Sequence, residues 1–215
     1  MSLKLYFHPL SSFCMKVLIA LYEKELAFEK EVVDFMDPVA NASFKEIWPI
    51  RQFPVLRDGA RGKTIPESSL IIEYLDQHYP GKAQMLPADP ELAFRARQLD
   101  RFFDLHVQVP MQKIVTDNFR PEGHNDAFGV EEARGKLRTA YGILEKDLAG
   151  HRWATGDHYT MADCAASPAL FYTNMSVPFG AEHSNLSSYL DRLVNRPSFA
   201  RAIDEASPYF SMLPE

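Results

Sequence analysis

Residues 3–25 read LKLYFHPLSSFCMKVLIALYEKE, an apolar run, a short polar loop, and then a stretch in which Val17, Leu18, Leu21 and Tyr22 recur with helical spacing. Strand, loop and helix in that order make the first half of a βαβ unit. Residues 28–35, FEKEVVDF, alternate as the returning strand. Such a unit favours a parallel strand pair joined by a right-handed crossover. At the junction of loop and helix a redox enzyme would place Cys-x-x-Cys, one thiol to attack and the other to resolve the mixed disulfide. This chain carries Ser11-Ser12-Phe13-Cys14 there, so a hydroxyl stands in the attacking position while the second thiol is kept.

Working outward, residues 42–47 suit a short polar helix, and residues 53–56 and 63–65 flank the turn Arg57-Asp58-Gly59 as an antiparallel hairpin. Pro66-Glu67-Ser68 opens a helix over 68–79, which Pro80-Gly81 ends. Residues 1–80 therefore read β-α-β-(α)-β-β-α, with 81–90 as a linker. After the linker the strand signals stop. Residues 89–115 and 129–149 carry long helical periods, the second through Ala133, Leu137, Tyr141, Leu144 and Leu148, and shorter helices follow near 161–173, 184–195 and 198–206. The fold class expected is an α/β N-terminal domain plus an all-α C-terminal helical domain over 91–215.

Composition narrows the function. The chain has 215 residues, 46% hydrophobic and 24% charged, which is ordinary for a globular protein. A formal net charge of -6 and no basic stripe argue against nucleic acid, whose binding needs clustered Lys and Arg. No segment approaches the ~20 apolar residues that span a bilayer, so no membrane partner is expected. The two cysteines, Cys14 and Cys164, lie far apart without metal-ligand spacing, so neither a disulfide framework nor a metal is expected and a cytoplasmic location fits. Nucleotide-loop, nucleophile-elbow and zinc-protease motifs have no match.

Four stretches carry candidate chemistry. A hydroxyl at a helix start, from Ser11 or Ser12, either caps the helix or donates to an anion alongside the outward N–H groups. Cys14, one turn in, reads as a small buried hydrophobe. Arg51-Gln52-Phe53-Pro54-Val55-Leu56 puts an X-Pro bond at a strand start, a place where a cis bond can turn backbone groups toward a ligand. In Pro66-Glu67-Ser68-Ser69, the Ser68 amide and hydroxyl suit a carboxylate and Glu67 suits an ammonium group, together the α-amino-acid end of a ligand. Either serine also serves as a plain cap. Thr160-x-x-Asp163 is a capping box, a folding element.

The stretches HPLSSFCMKVLIAL, QFPVL, PESSLIIEYL, MLPADP and TMADCAASPAL, in this order and spacing, resemble the cytosolic glutathione transferase superfamily across essentially the whole chain, with a bacterial, serine-type, theta- or zeta-like flavour. The resemblance implies a thioredoxin-like N-terminal domain that holds glutathione as co-substrate, a helical domain that shapes the pocket for a small hydrophobic electrophile, and a homodimer. It places the catalytic hydroxyl six residues before Val17, at Ser11, with Ser12 as runner-up. Cys14 falls on the resolving position of a glutaredoxin-like motif. Phe53 beside cis Pro54 would meet the cysteinyl part, Glu67 and Ser68 the γ-glutamyl end, and Arg51 or Gln52 the glycyl carboxylate. The electrophile would sit between the SSFC loop and RFFDLHVQVPMQKIV, against Phe103, His106, Val107, Pro110 or Met111, with Phe171 or Tyr172 opposite. The activity implied is a glutathione S-transferase with isomerase or peroxidase side activity. A thiol oxidoreductase using Cys14 and a non-enzymatic binding protein of the same fold are the alternatives.

Overall fold

The alternation in LKLYF turns Leu3, Leu5 and Phe7 of β1 (Leu3–Phe7) to one face, where they pack on Val17, Leu18 and Leu21 of α1 (Ser12–Glu23). The computed structural model describes residues 3–35 and 37–213. The chain continues through β2 (Glu29–Val32), α2 (Pro38–Ile47), β3 (Val55–Asp58), β4 (Lys63–Pro66) and α3 (Ser68–His78). The sheet order is β2-β1-β3-β4; β1 runs parallel to β2 and antiparallel to β3, and β3 and β4 form the hairpin expected around Gly59. Edge strand β2 is exposed and carries Glu29, Lys30 and Glu31, charges that discourage pairing with another edge.

The rest is helical: α4 (Pro90–Phe102), α5 (Val109–Asp117), α6 (Ala127–Asp147), α7 (Met161–Ser176), α8 (Ser184–Val194) and α9 (Pro197–Ala206), closed by a 3₁₀ segment at Ser207–Met212. α1 belongs to two cores at once. One face packs beneath the sheet, while Met15, Ile19 and Ala20 join the helical core, where the small residues Ala162, Ala165, Ala166 and Ala169 of α7 let the two helices approach. Asp163 closes the start of α7 as its sequence implies: its carboxylate accepts from the Thr160 and Ala154 amides, each at 2.8 Å, and from the Tyr189 hydroxyl at 2.6 Å.

Two features of the connecting segments matter for the site. The stretch over 81–90 is tied down, because Asp76 accepts from the Met85 and Leu86 amides at 2.8 and 2.7 Å and pairs with buried Lys24 at 2.7 Å. The long helix expected over 89–115 is interrupted by a π-helical segment, Phe103–Gln108, between α4 and α5. Pro110 supplies a physical reason, since its ring crowds the preceding turn and it has no N–H to continue the ladder, and a widened turn relieves both.

Candidate active site

A cleft of about 760 Å³ opens where the end of β1, the start of β3 and the start of α3 face the α4–α5 segment. Ser11 lies on its wall. It is the N-cap of α1, with extended backbone, and its Oγ accepts from the Cys14 amide at 3.3 Å. Capping uses a lone pair, so the hydroxyl proton can still be donated to a second partner. Ser12 is the first residue of the helix, is buried, and is not on the cleft wall. Neighbouring hydroxyls that the sequence leaves equivalent are thus separated by the turn between them.

Cys14 is fully buried, and burial pushes its thiol up to about 12, against the smaller lowering effects of Ser11 and the His8 backbone. A reactive thiol needs the opposite shift and some access to solvent. Sealed from solvent and with its titration pushed up, Cys14 does not suit the nucleophile's part in the oxidoreductase alternative.

Arg51, Gln52, Phe53 and Pro54 line the same cleft, the Phe53-Pro54 bond being cis, and so do Glu67 and Ser68 at the start of α3. Arg51 and Glu67 have φ of 60° and 71°, the left-handed region that side chains other than glycine adopt at a cost. Among the described residues only Glu25 shares that property, so this strain is concentrated on the cleft. Glu67 makes no side-chain cap to α3, which leaves the N–H groups of that helix start directed at the cleft with the positive end of the helix dipole. Aromatic rings finish the wall: Phe35 stacks on Phe53 at 4.9 Å, and the Arg51 guanidinium lies 5.7 Å from the Phe35 centroid.

Behind the start of α3 lies a buried ionic cluster that the sequence reading missed. Lys16, 1% exposed, places Nζ 2.7 Å from Asp100, 2.9 Å from Asp104 and 2.9 Å from the Ser69 hydroxyl, which donates to Asp100 at 2.6 Å. Burial and the neighbouring Asp104 hold the Asp100 carboxyl above its usual range in spite of Lys16. The signal in the sequence is a lysine inside an otherwise apolar helix, MKVLIAL, because a charge that cannot reach water requires a partner.

The expected electrophile wall is corrected. Phe103, Val107, Met111 and Tyr172 are packed in the helical core and Pro110 is buried; His106 is exposed with its ring 5.1 Å from Phe102, and Phe171 packs on Phe199 and Phe210. None of these residues lines the cleft. Leu105, Val109 and Gln112 do, facing Ser11 and Phe13. On this segment Phe103 packs inward, His106 faces solvent, and Leu105 and Val109 are left over the cleft.

Among the described residues no cluster of three or more His, Cys, Asp or Glu side chains could hold a metal, and no helix is long and apolar enough to cross a membrane. Residues 5–83 match the family model described as glutathione S-transferase, N-terminal domain, and residues 102–197 the model described as glutathione S-transferase, C-terminal domain. Relatives include a glutathione S-transferase of Pseudomonas putida, 27% identical over 93% of this chain and 90% of its own length. A probable maleylacetoacetate isomerase of Caenorhabditis elegans is 28% identical over 95% and 94%. Among solved structures, a glutathione S-transferase of Methylobacterium radiotolerans in complex with glutathione sulfonate is 28% identical with a TM-score of 0.80, covering 94% of this chain and 95% of that one.

Proposed function

The chain belongs to the glutathione S-transferase family, and from that premise we propose that it adds the thiolate of glutathione to a small hydrophobic electrophile in the cleft described above. The observation that carries the reading is the meeting of Ser11, Phe53-Pro54 and Glu67-Ser68 around one cleft. In this reading the γ-glutamyl end lies at Glu67 and Ser68, its carboxylate on the helix start and its ammonium on Glu67. The cysteinyl part meets the Phe53 backbone, and Arg51 or Gln52 takes the glycyl carboxylate.

Catalysis follows from thiol ionisation. A free thiol titrates near ~8.5, so most glutathione is protonated and weakly nucleophilic at neutral pH. Lowering that value by about two units needs roughly 2.7 kcal/mol of preference for the thiolate. One charge-assisted hydrogen bond from Ser11, with the dipole of α1 behind it, is of that size. The sulfur then needs an electrophile held close, which Phe13, Leu105 and Val109 provide as an apolar wall. The same thiolate supports a glutathione-dependent isomerase side activity.

The test is calorimetric titration of glutathione into the purified protein in two neutral buffers of different ionisation enthalpy. Saturable binding with net proton release is expected in the wild type, with less release in Ser11→Ala. Absence of binding, or equal heats in both buffers, overturns the reading. We place the protein in the cytoplasm on its two free, buried cysteines. A homodimer would cover the exposed Leu70 of α3 and Leu92 and Phe94 of α4, and sedimentation should give twice the 24.5 kDa chain mass.

A further inference from the structure

The loop that presents Ser11 is a single turn, His8-Pro9-Leu10-Ser11. The Ser11 amide donates to the His8 carbonyl at 3.0 Å, which closes the turn, and Pro9 occupies the second position, where its fixed φ is favoured. The first position of such a turn is usually Asp, Asn or Ser, whose side chain accepts the N–H two residues on. Here His8 takes that part, its Nδ1 accepting from the Leu10 amide at 3.3 Å. The imidazole is also held on both sides. It lies 6.1 Å from the Phe53 ring, inclined by 21°, and Tyr209 of the C-terminal 3₁₀ segment meets it edge-on at 5.4 Å.

We propose that His8 is the positioning residue for Ser11, setting the aim of its hydroxyl through this turn and locking the turn to Phe53 on the glutathione side and Tyr209 on the other. The inference rests on the assignment of Ser11 as the thiolate donor. Acceptance at Nδ1 requires the neutral ring protonated at Nε2, and a protonated imidazole has no acceptor left for Leu10. Burial holds His8 below the ordinary histidine range against the opposing pull of Asp34. The titratable groups facing the ring are Asp34, from the loop after β2, and Tyr209, while the Cys14 thiol lies against the His8 backbone. The sign follows: the Leu10 bond to Nδ1 is present in the neutral form and is lost as pH falls through the lowered value for His8, leaving the turn with its backbone bond alone.

Two variants separate the ring from the acceptor. His8→Phe keeps the aromatic contacts and removes Nδ1, whereas His8→Asn restores a side-chain acceptor of the kind this turn ordinarily uses. With glutathione and a chromogenic aryl halide, His8→Phe should lower kcat by roughly 2- to 10-fold, the weight of one modest hydrogen bond, with KM for glutathione within about two-fold. His8→Asn should recover most of that loss. As pH falls below the ordinary histidine value of about 6.5 and through the lowered value for His8, the wild-type log kcat should fall more steeply than the unit slope of thiol protonation alone, and His8→Asn should return to unit slope. Wild-type kcat in His8→Phe, or equal impairment in both variants, overturns the proposal. A second measurement stands apart from any ligand. In the NMR spectrum of the free protein the amides of Leu10 and Ser11 should titrate together with the His8 ring, below the ordinary histidine value of about 6.5. If the Ser11 amide is indifferent to His8 protonation, the proposal fails whatever the cleft binds; if it follows while wild-type turnover is absent, the glutathione reading alone falls.

Discussion

In the proposed reaction Ser11 does two things with one oxygen, accepting the Cys14 amide at 3.3 Å as a helix cap and donating a hydrogen bond to the glutathione thiolate. Ser11→Ala removes both. The cap accounts for ~1 kcal/mol of stability, and the charged hydrogen bond for about 1.5–3 kcal/mol, so turnover at pH 7 should fall roughly 10- to 100-fold while glutathione binding changes little. Because the lost effect is thiol ionisation, the deficit should shrink as pH rises past the free thiol value of ~8.5, where glutathione ionises without help. A pH-rate profile of wild type against Ser11→Ala reads this directly; a deficit constant across pH would assign Ser11 another role. Cys14→Ala, by contrast, should leave kcat within about two-fold, since a buried thiol whose titration is pushed up to about 12 is packing material. Both residues were legible as candidates in SSFC. What the sequence withheld was orientation, because a serine at the cap and a serine in the first turn differ only by the angle of one peptide.

Helical elements were legible wherever apolar residues kept a steady period, as in α6, whose Ala133, Leu137, Tyr141 and Leu144 are buried as expected. The α4–α5 stretch broke that logic. Its buried residues Leu99, Phe103, Val107 and Met111 are four apart, and the π-helical turn between them changes which side faces the cleft. Two substitutions two residues apart should therefore behave oppositely. Phe103→Ala, at a fully buried ring, should cost about 3–5 kcal/mol and lower Tm. Leu105→Ala, where the side chain is 46% exposed on the cleft, should leave Tm nearly unchanged and shift KM for the electrophile with KM for glutathione unaffected. Thermal melts and two-substrate kinetics on the pair decide it, and a reversed pattern would restore the face that the aromatic residues suggested. The Lys16 cluster belongs to this scale too, joining α1, the start of α3 and the α4 side of the cleft through one ammonium. Its lysine is visible in the sequence as an interruption, but Asp100 and Asp104 lie far along the chain and nothing local marks them as its partners.

For the whole molecule, α1 is the element that the sheet and the helices share. Its two faces are buried in different cores, the Arg196–Glu23 pair at 2.6 Å adds a further tie between the N-terminal and C-terminal parts, and the Asp76 bonds to Met85 and Leu86 fasten the linker to α3. Unfolding one part exposes the α1 face that the other covers, so thermal unfolding should appear as a single transition, coincident in far- and near-ultraviolet circular dichroism. Two resolved transitions would mean that α1 does not couple them. The sequence by itself determined the βαβ start, the hairpin, the helical remainder and the set of stretches from which a glutathione site can be built, because each rests on local periodicity, turn chemistry or the order of short motifs. Only the tertiary structure decided that Ser11 and not Ser12 faces the cleft, that Cys14 is sealed, that Lys16 finds two carboxylates, and that Leu105 and Val109 form the apolar wall. Those outcomes depend on which surfaces are removed from water when distant segments pack, a property that no window of neighbouring residues contains.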